Sequence, residues 1–298
     1  MTPYDFCAQQ AAQPGSALYY ACRRLPEQPR TVLIALHALA AELRGAVAGA
    51  ISPEIAFARL HWWQEELLRL PGPAAQHPIS RALQPHLERS GVAPAELLPL
   101  IAPCLEDLER PRPATQAALV SYAARTGGYL HRLAARIDQP IASDHTLALA
   151  ERLGTGCALV DVLRDVGADA RAGRIRLPVD ALQKYQVRVQ ELLDQSIGPT
   201  DSRFEALMRS HAALASDYLS AMAPAANEQR QVTPTVTAAT NRAARPGVLA
   251  GLGRLAAIKR ALLEEITVAP GDVLIGQISL TPLRMLWLTW RNRGARAL

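Results

Sequence analysis

Apolar residues recur at helical spacing along most of the chain, and the alternating pattern of a strand is scarce. The first clear stripe runs from Arg30 to about Ala50 and carries Leu33, Leu36, Leu39, Leu43 and Val47. Residues three and four apart share one face of an α-helix, so this stripe predicts a helix with one buried side.

Proline, glycine and serine divide the rest of the chain into further helices. Ser52-Pro53-Glu54 predicts a helix start, because Ser caps a helix well and Pro suits its first turn. We expect an interruption at Thr126-Gly127-Gly128 and a long helix from about Ser143 to Ala170, followed by the loop RAGRIRLP. Later helices are expected over 200–223, 231–243, 247–266 and 281–293. The pattern predicts an all-α protein, one domain over 1–298, with 294–298 a frayed tail.

The composition agrees with a soluble globular protein, since 49% of the residues are hydrophobic and 20% are charged. The four cysteines are far apart and form no CxxC pair, which indicates reduced thiols in the cytosol. The N-terminus lacks the pattern of a signal peptide. Runs of about 18 apolar residues are absent, so no transmembrane helix is expected. We expect a cytoplasmic protein.

The net charge is +5 and the isoelectric point is near 9.3, carried mostly by Arg. Such a balance suits a diphosphate ligand, an anionic membrane surface or nucleic acid. The sequence has no dense Lys/Arg run, zinc-finger spacing or RNA-binding signature, so nucleic acid is not an expected partner.

One segment places three carboxylates one helical turn apart. In Asp161-Val-Leu-Arg-Asp165-Val-Gly-Ala-Asp169 the three aspartates fall on a single helix face. Stacked carboxylates repel one another unless a cation lies between them, and Mg²⁺ takes such ligands together with phosphate oxygens. Arg164, Arg171 and Arg174 lie close in sequence and offer phosphate contacts.

The same spacing also fits a solvated helix face with weak surface ion pairs. Two features favour a site. The residues before Asp161 are apolar, which indicates partial burial, and the RAGRIRLP loop that follows is more specific than an ordinary surface segment.

The segment ALVDVLRDVGADARAGRIRLP resembles the second aspartate-rich motif of squalene and phytoene synthases, NILRDVGEDARRGRIYLP. Other segments are similar to that family along nearly the whole chain: Gly15-Ser-Ala-Leu-Tyr-Tyr20, Trp62-Trp63, His77-Pro78, Tyr122-Ala-Ala-Arg125 and Leu280-Thr-Pro-Leu-Arg284. The resemblance implies an isoprenoid-synthase fold, a helical bundle around a central cavity that binds a farnesyl- or geranylgeranyl-class prenyl diphosphate.

The resemblance also implies residue roles. It makes Asp161, Asp165 and Asp169 catalytic, with Mg²⁺ held by Asp161 and Asp165. Its diphosphate and pocket contacts are Arg164, Arg125, Arg174, Arg171, Tyr19, Tyr20 and Arg44. His37 stands where the family usually has Tyr, and is interpreted as a residue of the pocket wall.

The first aspartate-rich motif of the family is absent. Where the family reads ALYAFCREVDDVVDE, this chain has Arg44, Gly45 and Ala48 at the metal-binding positions. An Arg there removes a ligand and also adds a fixed positive charge that repels Mg²⁺. We therefore expect fewer ions than the family's usual set of about three.

Three functions remain open. The first is a prenyl diphosphate-binding protein whose head-to-head prenyltransferase activity is weakened or lost, and this is the interpretation we favour, because electrostatic stabilisation of the leaving group is usually the largest catalytic contribution. The second is an active synthase with a rearranged metal site. The third is an assembly or scaffold protein without enzymatic activity.

The C-terminal run Met285-Leu-Trp-Leu-Thr-Trp290-Arg-Asn-Arg-Gly-Ala-Arg296 is amphipathic and basic. It fits a peripheral contact at the inner membrane surface. One short helix is a weak anchor, so a last helix that closes the domain, with a frayed basic tail, is the interpretation we favour.

Overall fold

The computed structural model describes residues 1–70, 72, 74–109, 112–220 and 247–292, and this part of the chain is helical without a β-strand. The helices are α1 (Pro3–Ala11), α2 (Ala17–Cys22), α3 (Glu27–Ala48), α4 (Pro53–Leu68), α5 (Pro78–Ser90), α6 (Ala102–Glu106), α7 (Gln116–Ala123), α8 (Tyr129–Asp138), α9 (Asp144–Arg164), α10 (Val166–Arg171), α11 (Val179–Lys184), α12 (Val189–Leu193), α13 (Ser202–Leu219), α14 (Val248–Val268), α15 (Asp272–Ile275) and α16 (Pro282–Arg291). The all-α prediction is confirmed.

Polar side chains cap several helix starts. Ser143 accepts a hydrogen bond from the Thr146 N–H at the start of α9, and Thr281 does the same for Arg284 at the start of α16. The predicted start at Pro53 is confirmed, although the Ser52 hydroxyl makes no capping bond.

Helices α3, α9 and α14 form the centre of the packed core. Helix α9 packs against α8, α13 and α14, while α3 packs against α1, α5 and α8. The leucines of the predicted α3 stripe are buried from Leu33 to Leu43. Among the described residues, α3 is also the one helix long and apolar enough to cross a membrane. Its packing against helices that include α1, α5 and α8 accounts for that composition.

The α-helix is interrupted where expected, at Thr126-Gly127-Gly128. A π turn over Ala124–Gly128 replaces α-helical geometry there, and the chain continues from α7 into α8 without a loop. A Cβ on Gly154 of α9 would lie 2.1 Å from the Gly127 carbonyl oxygen, so the two backbones touch. Glycine is needed at both positions because any side chain would separate the helices.

The long helix expected from Ser143 to Ala170 is divided at Asp165. Its backbone (φ −95°, ψ 5°) departs from helical geometry, and α9 ends at Arg164. Helix α10 then turns toward α15, where a Cβ on Gly167 would lie 2.2 Å from the Val273 carbonyl oxygen. The helix expected over 231–243 and the tail at 294–298 lie outside the described residues, and the single-domain organisation stays a prediction.

The contact between Gly127 and Gly154 predicts that substitution by alanine has opposite effects on stability at Gly154 and at Gly45. We expect Gly154→Ala to lower the free energy of unfolding by about 1–3 kcal/mol, because the new methyl forces the backbones apart. Gly45→Ala in α3 meets no atom within 4 Å and should raise stability by up to about 1 kcal/mol through helix propensity. Urea unfolding measures both, and equal effects would contradict the close contact.

Candidate functional site

A cavity of about 620 Å³ lies between α3, α9, the π turn, α14 and the loop before α11. Six of the predicted site residues line it: Asp161, Asp165, Asp169, Arg44, Arg164 and Arg174. The structure therefore brings the segment with Asp161, Asp165 and Asp169 and the Arg44 region of α3 to one cavity.

Asp161 lies between two cations. It forms an ion pair with Lys259 Nζ of α14 and a second one with Arg164 Nη1, at 3.1 Å from its Oδ1. The Lys259 side chain is only 9% exposed, whereas 39% of the Asp161 side chain is open to the cavity. Burial alone would raise the pKa of Asp161, but Lys259 and Arg164 hold the pKa of this carboxyl below its usual value.

Asp165 is held from two directions. The Arg164 guanidinium donates to both of its carboxylate oxygens at 2.8 Å, through Nε and Nη2. From the segment between α15 and α16, Gln277 Nε2 donates to Oδ1 at 2.9 Å. The neighbouring arginine thus engages both carboxylate oxygens of Asp165.

Asp169 is paired with two arginines of the RAGRIRLP segment. Arg174 Nη2 and Arg176 Nε each lie 3.1 Å from a carboxylate oxygen of Asp169. Arg176 also donates to the Tyr122 hydroxyl at 2.5 Å and lies 3.4 Å from Asp107. Burial raises the pKa of Asp169 above its usual value despite these arginines.

Four predicted contacts do not line the cavity. Arg125 forms an ion pair with Glu106, and Arg171 donates to the Leu274 carbonyl at 2.9 Å. Tyr19 and Tyr20 pack edge to face with ring centroids 5.1 Å apart. In the segment 15–20, the residues that do line the cavity are Ser16, Ala17 and Leu18.

Arg44 stands in the cavity wall on α3, with Gly45 and Ala48 beside it. It is close enough to Asp161 and to His37 to influence the pKa of each. The fixed cation expected from the sequence therefore faces the second-motif helix. The carboxylates of the cavity wall, Asp107, Asp161, Asp165 and Asp169, are outnumbered there by the cations Arg44, Arg164, Arg174, Arg176 and Lys259.

The Mg²⁺ ions implied by the family resemblance do not fit this arrangement of side chains. Each aspartate of the motif already has an ammonium or guanidinium partner. In the described part of the chain no three His, Cys, Asp or Glu side chains are grouped as metal ligands. Mg²⁺ prefers carboxylates that face it together with phosphate oxygens, and here cationic side chains take that place.

Two histidines complete the wall, His131 buried and His37 partly exposed. His37 of α3 and His131 of α8 bring their Nε2 atoms to 3.3 Å from each other. Sequence reasoning identified His37 as a residue of the pocket wall, and the cavity lining agrees with that interpretation. It missed His131, Lys259 as a partner of Asp161, and the role of Arg176, because each acts on a residue distant in the chain.

The chain is similar in sequence to proteins of one known family. The sequence profile of the family described as "Squalene/phytoene synthase" matches residues 11–287. A phytoene synthase from Arthrospira platensis is 29% identical over 223 residues, which cover 69% of this chain and 70% of that protein.

Solved structures show the same fold. A dehydrosqualene synthase in complex with a ligand superposes with a TM-score of 0.75 at 17% identity, over 98% of this chain and 95% of that one. A squalene synthase from Alicyclobacillus acidocaldarius gives a TM-score of 0.70 at 17% identity, over 91% of this chain and 94% of that one.

The pairing of Asp161 with Lys259 predicts a pH-dependent contribution to stability. Because the pKa of Asp161 is lowered on folding, its contribution is present above the unfolded value of 3.8 and is lost as the pH falls through the folded value. Asp161→Asn should lower the free energy of unfolding at pH 6 by about 1–3 kcal/mol, toward the lower end because water in the cavity screens the charge.

Urea unfolding of both proteins at pH 6 and pH 3 measures this contribution. The difference between wild type and Asp161→Asn should shrink at pH 3, and a difference that is constant with pH would contradict the pairing. Asp217→Asn is the matched control, since its side chain is 78% exposed and lies 3.9 Å from Arg152. It should change stability by less than about 0.5 kcal/mol.

Proposed function

The chain belongs to the squalene/phytoene synthase family, and from that premise we propose that its cavity binds one prenyl diphosphate without condensing two. The observation that carries the proposal is the position of Lys259 and Arg44. These two fixed cations face the second-motif helix, where the family reaction requires metal ions. The proposed ligand is of the farnesyl or geranylgeranyl class.

The polar end of the cavity supplies the diphosphate contacts. Arg44, Lys259 and Arg164 bring three positive charges toward Asp161, so the site carries a surplus of positive charge before a ligand enters. A diphosphate oxygen replaces part of the cavity water and receives charge-assisted hydrogen bonds from these groups. Fixed side-chain cations then neutralise the ligand in place of metal ions.

The rest of the wall suits a prenyl chain. Apolar side chains line it, among them Leu18, Val47, Leu100, Leu130 and Leu255. The volume of about 620 Å³ lies within the range of small-molecule pockets. An apolar tail beside a cationic end matches the two halves of a prenyl diphosphate.

Condensation of two prenyl diphosphates requires a second anionic ligand and the charge to hold it. The first-motif positions that serve this purpose in the family are Arg44, Gly45 and Ala48 in this chain. They provide one cation and no carboxylate. At these positions α3 therefore offers no ligand for a metal ion that would hold a second diphosphate. We therefore propose that head-to-head activity is weak or absent.

Contact with an anionic membrane surface stays a prediction. Leu283, Trp287 and Trp290 are exposed on α16 at positions that share one helix face, and the Arg291 guanidinium lies 5.3 Å from the centre of the Trp287 ring. Exposed aromatic and basic side chains of this kind suit a membrane interface.

Binding should be independent of metal. Isothermal titration with a non-hydrolysable thiolo analogue of farnesyl diphosphate should give the same Kd in EDTA as in Mg²⁺. Arg44→Ala and Lys259→Met should each weaken binding about tenfold, since each removes a charge-assisted hydrogen bond. Arg125→Ala is the control, because Arg125 is paired with Glu106 outside the cavity, and it should leave Kd unchanged. Binding that disappears in EDTA would overturn the proposal.

Condensation should be missing from the product profile. Incubation with farnesyl or geranylgeranyl diphosphate, Mg²⁺ and NADPH should give no squalene, presqualene diphosphate or phytoene, with an active family synthase assayed in parallel. The triple variant Arg44→Asp, Gly45→Asp, Ala48→Asp returns carboxylates to α3 and should make analogue binding dependent on Mg²⁺. Wild-type condensation at the rate of the parallel synthase would contradict the proposal. Absence of any binding would favour an assembly or scaffold role.

A further inference from the structure

The histidine pair in the cavity wall has no part in the diphosphate contacts just described. His37 and His131 come from α3 and α8, 94 positions apart, and their ring centroids lie 5.3 Å from each other. His131 is only 1% exposed, and its Nδ1 is buried without a hydrogen-bond partner. A buried polar atom without a partner is costly, so its retention in the wall calls for an explanation.

The position of His131 depends on the glycine contact between α9 and the π turn. A Cβ on Gly154 would lie 2.8 Å from His131 Nδ1, so glycine there gives the imidazole its room. With the ring seated against α9, His131 Nε2 reaches His37 across the helix interface. The pair is therefore a consequence of the packing, because His131 lies between Gly154 of α9 and His37 of α3.

The pair is uncharged and offers one nitrogen that can accept a proton. Two neutral imidazoles that share one hydrogen bond keep one free N–H and one free lone pair between them. Burial and the nearby Lys259 ammonium lower the pKa of His131 to about 4. Burial, together with His131, Arg44 and Lys259, lowers the pKa of His37 as well. Near neutral pH both rings are unprotonated and can accept a proton.

Other groups of the described cavity wall are poorly suited to that role. The four aspartates there are each paired with a guanidinium or ammonium group, and Asp107 also accepts a hydrogen bond from the Tyr122 hydroxyl. Burial raises the pKa of the Cys157 thiol and that of the Tyr122 hydroxyl to about 12, so both stay protonated. The histidine pair is the neutral base that remains.

A cavity that holds one prenyl diphosphate creates a need for such a base. If the allylic C–O bond ionises, the resulting cation has no second prenyl chain to alkylate. It must be quenched by loss of a proton or by capture of water. A carbocation is a very strong acid, so even an imidazole of low basicity can deprotonate it.

We propose that the His37–His131 pair is the proton acceptor for elimination of diphosphate from an allylic prenyl diphosphate. The C–O bond breaks and its electron pair leaves with the diphosphate toward Arg44, Lys259 and Arg164. A C–H bond on a carbon next to the cation then breaks, and its electrons form a new C=C bond. The proton passes to the imidazole pair and on to the released diphosphate. The products are a conjugated polyene hydrocarbon and diphosphate, without oxidant, reductant or co-substrate.

This inference rests on the proposed function and is tested separately from it. Wild-type protein is incubated in EDTA with farnesyl diphosphate under a solvent overlay. Hydrocarbons and alcohols are measured by gas chromatography with mass spectrometry, and released diphosphate by an enzyme-coupled assay. We expect a farnesene-type tetraene and diphosphate in equal amounts.

The variants identify the base. His37→Gln and His131→Gln keep a polar side chain of similar size but remove the basic nitrogen. Each should lower hydrocarbon formation by about 100-fold, the scale of a general base, while Kd for the thiolo analogue stays the same. His211→Gln is the matched control, because His211 is equally buried, also has an unpartnered ring nitrogen, and lies on α13 away from the cavity. It should leave product formation unchanged.

The outcomes separate the two proposals. Three results would overturn the inference and leave the proposed function intact. The wild type binds the analogue but forms no hydrocarbon; it binds the analogue but forms farnesol; or it forms hydrocarbon at a rate that neither glutamine variant changes. Failure of the wild type to bind the analogue would overturn the proposed function itself. Thermal unfolding of each variant shows whether it is folded. If one is not, the other still decides the result, because both rings are required for the pair.

Discussion

The structure depends on a balance of charge inside a largely apolar cavity. The aspartates of α9 and α10 lose much of their hydration there, and an unpaired charge in such a place is strongly unfavourable. Cations from three other places in the chain provide the balance: Lys259 on α14, Arg174 and Arg176 in one loop, and Arg44 on α3. The polar site and the packing of the central helices are therefore linked, because Lys259 reaches Asp161 only when α14 packs against α9.

A second constraint is the backbone contact between Gly127 and Gly154. It brings the π turn against α9, and π turns of this kind are often found at functional sites. The contact also seats His131 beside His37. A purely steric feature of two glycines thus determines which titratable groups meet in the cavity wall.

The comparisons separate fold from chemistry. A TM-score of 0.75 accompanies only 17% identity with the dehydrosqualene synthase, so the helical framework tolerates extensive replacement of apolar residues by others of similar size. Charged groups in a cavity tolerate far less, since exchange of an Asp for an Arg reverses the local charge. Membership in the family therefore establishes the framework, and the function follows from the residues within it.

The sequence by itself determined the helices, the buried stripe of α3, the spacing of Asp161 and Asp165 by one helical turn, and the arginine at position 44. These are local properties, because helical periodicity and capping depend on neighbours within a few positions. Only the tertiary structure decided that Lys259 pairs with Asp161, 98 positions away, and that His131 meets His37. It also placed Arg125 outside the cavity. Contacts between helices depend on how the helices cross and on where glycine permits close approach, and neither is encoded in the periodicity of a single helix.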